Sequence, residues 1–420
     1  MTKSHSLSLY AAILINVNIM LGTGTFINTV ILAQHSGVLG SFLYLLAGIL
    51  MLPVILCIAQ LTSMHTEGNF YNFGAMINPF WGFVSSWSYF IGKLASATLS
   101  VHVFVMFLHY SLPALQTIPA LFLDSGLIML FVLLNLLHVK TGRNIQAAFF
   151  VTKCIPLLFA IGAGLYCVDL INIAAPHRIW AGIPIALPLV LFCCLGFEAS
   201  CSLSKIIKDA KRNAPRAIII SFTIVIVLSI LYQLLFYLAL GSSLSKQASY
   251  VGAFPLLLQK ATPRLLHILG PLFSLAIAVS ALGGAYGIIY SNQWNLYALA
   301  EKKHLFLSEQ FKKVNYHHIP IWCVLTEGII CIGYILLTKG AQIPLQYTAV
   351  LGCIIAYTIS IIALFNKARS QLSVVGLITC AVLLTTCING FVFTSLVPLY
   401  IFSGIITTGV LVFFLNKIIS

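Results

Sequence analysis

Long apolar runs, separated by short polar segments, repeat along the whole chain. Most runs are about twenty residues or longer, which is the length that an α-helix needs to cross the hydrocarbon core of a bilayer. The ten-residue alternating pattern of outer-membrane strands is absent from the sequence. The pattern therefore predicts an all-α integral membrane protein with twelve spans, at residues 8–32, 38–64, 81–110, 119–138, 145–167, 184–204, 216–240, 267–299, 319–337, 343–365, 371–391 and 395–416.

Composition and charge agree with this class. Of the 420 residues, 60% are hydrophobic and only 7% are charged. A formal net charge of +14 could indicate a nucleic-acid-binding protein. Basic residues at helix ends are, however, ordinary signals of membrane topology, so we expect no nucleic-acid partner. With the N-terminus placed inside, 15 of the 22 Lys and Arg residues lie on the cytoplasmic side and five lie outside. This asymmetry predicts a multi-pass protein of the cytoplasmic (inner) membrane, surrounded by membrane lipid, with both termini in the cytoplasm.

The eleven cysteines do not indicate a metal site. Most lie inside apolar runs, without a CxxC motif or a Cys/His ligand spacing, and we interpret them as small core residues. An HExxH motif is also absent, and no convincing nucleophile–base pair stands out. We therefore expect no metal, no cofactor and no enzymatic activity.

Two predicted spans contain an interruption near their middle. The first, within 8–32, is a Gly-Thr-Gly-Thr sequence, and the second, within 184–204, is Gly-Phe-Glu-Ala. Glycine weakens a helix, and unpaired backbone groups in a membrane are tolerated only against protein or a water-filled cavity. Paired broken helices in corresponding positions of two halves are typical of transporter binding sites. The candidate substrate-binding residues at the interruptions are Gly22, Thr23, Gly24, Thr25, Phe26, Gly196, Phe197, Glu198 and Ala199.

Each interruption offers a way to hold a carboxylate. Where a helix restarts, its first N–H groups are unpaired and lie at the positive end of the helix dipole. The alternative is that the glycines only let helices pack closely. The matched positions predict one membrane domain over residues 1–420, made of a five-helix repeat at 8–167, a second, inverted repeat at 184–365, and two peripheral helices at 371–416.

Charged residues within spans are costly and by default functional or paired. Glu198 either titrates during a transport cycle, pairs with a cation or, as we favour, holds the broken helix by accepting backbone hydrogen bonds. Lys93, near the middle of span 81–110, joins the candidate substrate-binding residues because it can meet a negative substrate group. A pair between Lys93 and Glu198 is the equally open alternative. For Glu327 we expect an internal hydrogen bond or ion pair.

Lys153 lies about eight residues inside its span, roughly 12 Å by helix rise, which is far for a side chain that reaches back to the interface. We favour a coupling role, in which the ammonium stands where a coupling sodium ion would otherwise sit. Its protonation would then follow the transport step. Lys153 and Glu198 are therefore the candidate coupling residues.

A short aromatic segment, residues 67–74, follows the second span and is nearly uncharged. One interpretation is a belt of aromatic residues at the membrane interface. The other is a gate packed beneath the helix bundle. The sequence does not separate the two.

These motifs resemble those of the amino acid–polyamine–organocation (APC) superfamily of transporters. Residues 22–26 are similar to its Gly-Ser-Gly-Ile-Phe motif in helix 1, residues 196–198 to its Gly-Phe-Glu in helix 6, and residues 213–216 to its Pro-Arg motif after helix 6. The resemblance covers roughly residues 8–365. It implies the LeuT fold, a substrate α-carboxylate and amine held at the two breaks, and alternating access. Lys153 is similar to the helix-5 lysine at the sodium position of sodium-independent members.

The chain departs from the family pattern at three positions. Thr25 replaces an aliphatic residue, Asn69 replaces a glycine, and Lys93 stands where a neutral residue is expected, so the substrate stays open. The sequence predicts a permease for amino acids or related small amines, a sodium-independent secondary transporter working by proton-coupled symport. Exchange of amino acids (antiport) is the alternative. A channel is remote, because channel filters use rings of carbonyls or charges around a pore.

Overall fold

The structure is a computed structural model that describes residues 7–65, 68–174, 179–394 and 396–419. These residues form α-helices, short 3-10 turns and two isolated β-bridges, and no β-sheet occurs among them. The α-helices in chain order are α1 Leu9–Met20, α2 Thr23–Ser36, α3 Gly40–Met64, α4 Phe70–Ala75, α5 Pro79–Ser111, α6 Ala120–Asn135, α7 Val139–Tyr166, α8 Ile179–Cys194, α9 Ala199–Ser202, α10 Ala210–Leu240, α11 Ser242–Ser245, α12 Ala253–Ala261, α13 Leu266–Glu301, α14 Ser308–Phe311, α15 Ile321–Thr338, α16 Gln342–Ala368, α17 Gln371–Thr394 and α18 Val397–Ile419.

The all-α membrane class predicted from the apolar runs is confirmed. Ten segments among the described residues are long and apolar enough to cross a membrane. One of them, Leu9–Met64, contains two predicted spans. Helix α6 has 16 residues, about 24 Å at 1.5 Å per residue, which is shorter than the ~30 Å hydrocarbon core. The number of twelve spans therefore stays a prediction.

Helices α5 and α13 form the centre of the bundle. They have 33 and 36 residues and pack against each other. The start of α5 follows from its sequence, because Pro79 occupies the first turn and the Asn78 side chain accepts a hydrogen bond from the Trp81 N–H at 3.0 Å. Around this centre, α16 packs on α5, α7 packs on α13, and α3 packs on α10.

Both predicted interruptions are present. Helix α1 ends at Met20 and α2 begins at Thr23. Helix α8 ends at Cys194, and a turn precedes the short helix α9. Gly196 in this turn has a φ of 128°, a conformation that residues with a β-carbon rarely adopt. The two helices therefore break where glycines interrupt their apolar runs.

The described part of the aromatic segment packs inside the bundle. Phe70 and Phe73 in α4 are completely buried, and Tyr71 is nearly so. The Phe70 ring stacks on Tyr89 of α5, with the ring centroids 4.3 Å apart. Glu67, at the start of the segment, lies outside the described residues. This burial favours the gate interpretation over an aromatic belt exposed at the interface.

Candidate functional site

The two interruptions lie directly against each other. A β-carbon on Gly24 would stand 2.7 Å from the Cys193 Sγ of α8. A β-carbon on Gly196 would stand 2.8 Å from side-chain atoms of both Ile19 and Met20 at the end of α1. These distances are shorter than van der Waals contact, so both positions require glycine for the helices to approach. Close packing and helix interruption, which the sequence left as alternatives for the glycines, occur together.

The first interruption carries hydrogen-bond donors at the start of α2. The first backbone bond of this helix runs from the Phe26 N–H to the Gly22 oxygen at 3.4 Å. The N–H groups of Thr23, Gly24 and Thr25 come before this bond, at the positive end of a 14-residue helix. The Thr25 hydroxyl is fully buried, and no hydrogen-bond partner for it occurs among the described residues. The start of α2 therefore suits an anionic group such as a carboxylate.

Two side chains of the first interruption are engaged in contacts within the bundle. The Thr23 hydroxyl donates a hydrogen bond to the Ser100 Oγ of α5 at 2.7 Å. The Phe26 ring packs edge-on against Tyr232 of α10, with the centroids 5.5 Å apart. These contacts fix α2 against the two neighbouring helices and leave its first-turn N–H groups as the available donors.

The second interruption differs from the first, because several of its backbone groups bond within the protein. The Gly196 N–H donates to the Glu198 Oε2 at 2.8 Å, and the Ala199 N–H donates to the Gly196 oxygen at 3.1 Å. The Phe197 oxygen accepts a hydrogen bond from the Asn16 Nδ2 of α1 at 2.7 Å. Helix α9 has only four residues, too few for a strong dipole. The Glu198 side chain thus folds back and caps the turn at Gly196, and a donor role of this interruption stays a prediction.

Glu198 is the centre of a buried polar cluster. The Lys93 Nζ of α5 lies 3.2 Å from the Glu198 Oε1, and the Tyr89 hydroxyl donates to the same oxygen at 3.1 Å. The side chains of Lys93 and Glu198 are 2% and 0% exposed. In the structure, Glu198 therefore accepts a backbone hydrogen bond, as favoured from the sequence, and Lys93 pairs with Glu198, as the alternative proposed. The direct contacts of these residues with a substrate stay predictions.

Lys153 of α7 reaches the end of α1. Its Nζ donates a hydrogen bond to the Asn18 oxygen, and a β-carbon on Gly22 would stand 3.4 Å from this nitrogen. The residue is 1% exposed, so the side chain does not extend to the interface. The last carbonyl groups of a helix have no partner in the helix and lie at its negative end. The Lys153 ammonium thus stabilises the carbonyl end of α1 next to the first interruption.

Several polar residues that position this site were not singled out from the sequence. Asn16 bonds the Phe197 oxygen, as described above. The Asn18 side chain donates to the Gln146 side chain of α7 and, at 3.2 Å, to the Gly283 oxygen of α13. The signal available in the sequence was the presence of amides inside apolar runs. That signal indicates burial and pairing, but it does not indicate the partner.

Glu327 of α15 does not have the partner that was expected for it. Neither carboxyl oxygen has a hydrogen-bond partner among the described residues, and the side chain is completely buried. Cys323 and Cys331, one turn away on either side, are also buried. Glu327 is distant in sequence from both interruptions, and none of the hydrogen bonds described above joins it to them. We assign it no part in the site.

The sequence profile of the amino acid permease family matches residues 7–416, and the chain belongs to this family. The family and its named relatives are transporters rather than enzymes. Membership in the APC superfamily, which the motifs at the two interruptions predicted, is confirmed.

Individual relatives are distant. An uncharacterized transporter of Mycobacterium tuberculosis is 25% identical over 310 residues, which cover 71% of this chain. An uncharacterized transporter of Mycobacterium bovis matches over the same extent. The match spans 66% of the length of these relatives. A protein of Mus musculus named b(0,+)-type amino acid transporter 1 is 23% identical over 343 residues, 78% of this chain and 69% of that protein.

Proposed function

We propose that the protein is a sodium-independent secondary transporter of amino acids or related small amines. It works by alternating access and proton-coupled symport. The observation that carries the proposal is the contact between the two interrupted helices, with the Lys153 ammonium bonded to the Asn18 oxygen at the end of α1. Membership in the amino acid permease family supports the substrate class.

Helix packing supports a LeuT-like inverted repeat. The proposed first repeat consists of α1–α2, α3, α5, α6 and α7. Its members correspond in order to α8–α9, α10, α13, α15 and α16 of the second repeat. Each of the pairs α3–α10, α5–α13 and α6–α15 joins a helix to its own counterpart, and all three pairs are in contact. Replacing each helix of a contact by its counterpart also gives an observed contact. The α5–α16 contact corresponds in this way to α13–α7, and α1–α7 corresponds to α8–α16. Five crossings per repeat would reverse the direction of the second repeat, and α17 and α18 would be the two extra helices.

The substrate α-carboxylate is assigned to the start of α2. Thr23, Gly24 and Thr25 supply N–H groups there, and the positive end of the helix favours a negative charge. The second interruption contributes the opposite wall through Gly196 and Phe197, and carbonyl groups at the ends of the broken helices suit an amine. Helix α4, whose Phe70 stacks on the Tyr89 ring that bonds Glu198, acts as a gate on the proposed cytoplasmic side.

Lys153 is the proposed coupling residue. The charged side chain holds the end of α1 through the Asn18 oxygen. Loss of the proton removes the charge and one donor, and this weakens the hold on α1. The bonded group is a carbonyl and not a carboxylate, so no counter-charge at this bond fixes the proton. This observation favours symport over the alternative, an amino acid exchanger in which Lys153 keeps its proton throughout the cycle.

Uptake into proteoliposomes tests the proposal. Labelled amino acids are offered in sodium-free buffer to vesicles that are empty or pre-loaded, with and without an inward proton gradient. We expect accumulation in empty vesicles only when the gradient is present, and none in vesicles without the protein. Uptake that needs pre-loading and ignores the gradient would identify an exchanger. Uptake that does not saturate and shows no counterflow would identify a channel and contradict the proposal.

A further inference from the structure

A cavity of about 330 Å³ lies where the start of α5 meets the ends of α13 and α18. We call it the basic cavity. It is separate from the two interruptions. The residues that line it are Pro79, Lys302, Lys303, His304, Phe413, Asn416 and Lys417.

The basic cavity carries positive charge without a described acidic residue in its lining. Three lysines at its rim, Lys302, Lys303 and Lys417, are exposed. Glu301 and Glu309 have lysine partners outside the lining, since the Glu301 Oε2 lies 2.5 Å from the Lys205 Nζ and Glu309 pairs with Lys312. The charge of Lys303 also acts on Glu309. The first turn of α5, which begins at Pro79, adds the positive end of a 33-residue helix. Such a surface is suited to an anion with more than one oxygen, such as a phosphate.

The inner wall of the basic cavity is aromatic. The Phe413 ring lies 5.0 Å from the His304 ring and 5.1 Å from the Phe83 ring, measured between centroids. Burial, and to a lesser extent the charge of Lys302, lowers the pKa of His304 below its usual value. The lowered pKa favours the neutral imidazole, so the lysines carry the positive charge of the lining. A charged rim above an apolar wall, at the end of membrane helices, fits an amphiphile with a phosphate head.

Contacts connect the basic cavity to the candidate gate. The His304 Nε2 and the Tyr71 hydroxyl of α4 lie 2.8 Å apart. The next residue, Phe70, stacks on Tyr89, which donates a hydrogen bond to Glu198. A molecule that fixes His304 would therefore also hold α4 in its buried position, where Phe70 contacts the Tyr89 ring that bonds Glu198.

We propose that the basic cavity binds the phosphate group of an anionic phospholipid and that the bound headgroup holds α4 closed. The proposal concerns a second site and does not depend on the transported substrate. The recognised chemistry is the phosphate, which a soluble phosphate ester also carries. The experiment therefore has separate arms for the lipid and for the soluble ester.

The test measures binding to the purified full chain in a neutral detergent. Short-chain phosphatidylglycerol, short-chain phosphatidylcholine and glycerol phosphate are titrated, and the shift of the unfolding temperature reports binding. The test variant carries Lys302→Gln, Lys303→Gln and Lys417→Gln. The matched control carries Lys208→Gln, Lys211→Gln and Lys313→Gln, which removes the same charge from exposed positions outside the cavity.

We expect phosphatidylglycerol to bind the wild type and the control equally. Binding to the test variant should be about tenfold to hundredfold weaker, because each lysine near an anionic headgroup contributes to the affinity. Replacing the same three lysines by Arg should preserve binding, and this variant serves if the Gln variant does not fold. Equal binding by the test variant and the control would overturn the proposal. Protection by glycerol phosphate as strong as that by phosphatidylglycerol would overturn the lipid assignment.

Discussion

Replacing Glu198 by Gln is expected to lower the free energy of unfolding by about 3–5 kcal/mol, because it leaves the buried Lys93 ammonium without a counter-charge. Gln has the size of Glu but one acceptor oxygen in place of two, so only one of the Tyr89 hydroxyl and the Gly196 N–H can donate to it. The loss therefore includes this change in hydrogen bonding as well as the unpaired charge. Lys93→Met should cost a similar amount, since Glu198 then becomes the unpaired ion. The double variant should recover most of the loss. Reversible unfolding in mixed detergent micelles measures all three free energies.

The exposed pair of Glu309 and Lys312 provides the control for this cycle. Its two charged atoms lie 2.6 Å apart, closer than those of Lys93 and Glu198, but water solvates both groups. Glu309→Gln should therefore leave unfolding unchanged within error. If the double variant were as unstable as the sum of the two single variants, the side chains would act independently, and the buried pair would not stabilise the fold.

Replacing Lys153 by Met is expected to reduce proton-driven accumulation by about tenfold to hundredfold, which corresponds to the loss of a hydrogen bond to a charged group. Met fills a similar space but cannot donate to the Asn18 oxygen or carry a proton. Counterflow between pre-loaded vesicles should survive better than net accumulation, because exchange needs no proton transfer. Initial rates of both processes, measured on the same vesicles, separate coupling from substrate binding.

Lys260 provides the control for this substitution. Its Nζ also donates to a carbonyl in the last turn of a helix, the Ala239 oxygen of α10, at 2.6 Å. It lies away from both interruptions. Lys260→Met should leave accumulation unchanged. If Lys153→Met accumulated substrate as the wild type does, Lys153 would have no part in coupling.

The main features of the fold could be predicted because their signals are local. The apolar runs give the helices, and Gly24 and Gly196 interrupt two of them. The partner of Lys153 could not be predicted in the same way, because it is a backbone carbonyl, and every residue has one. The pair of Lys93 with Glu198 was one of two interpretations, since two opposite charges in a membrane protein favour pairing but their distance depends on helix packing.

The difference in hydrogen bonding between the two interruptions could not be predicted from the sequence either. Both carry glycines, but only Glu198 is placed to cap its own turn through the Gly196 N–H. That bond depends on the φ of Gly196 and on the early end of α9. Glu327 was expected to have a partner because a buried carboxylate needs one, yet neither of its carboxyl oxygens bonds any of the described residues.

The most direct test of the central claim is whether recognition depends on the substrate carboxylate. Counterflow is measured with an amino acid identified in the uptake assay, in competition with the unlabelled amino acid, its decarboxylated amine and its methyl ester. If the start of α2 holds the carboxylate, the amine and the ester should compete about tenfold to hundredfold less well than the amino acid, because the charged hydrogen bonds are lost. Equal competition by all three would contradict the account, since the N–H groups of Thr23, Gly24 and Thr25 would then have no part in recognition.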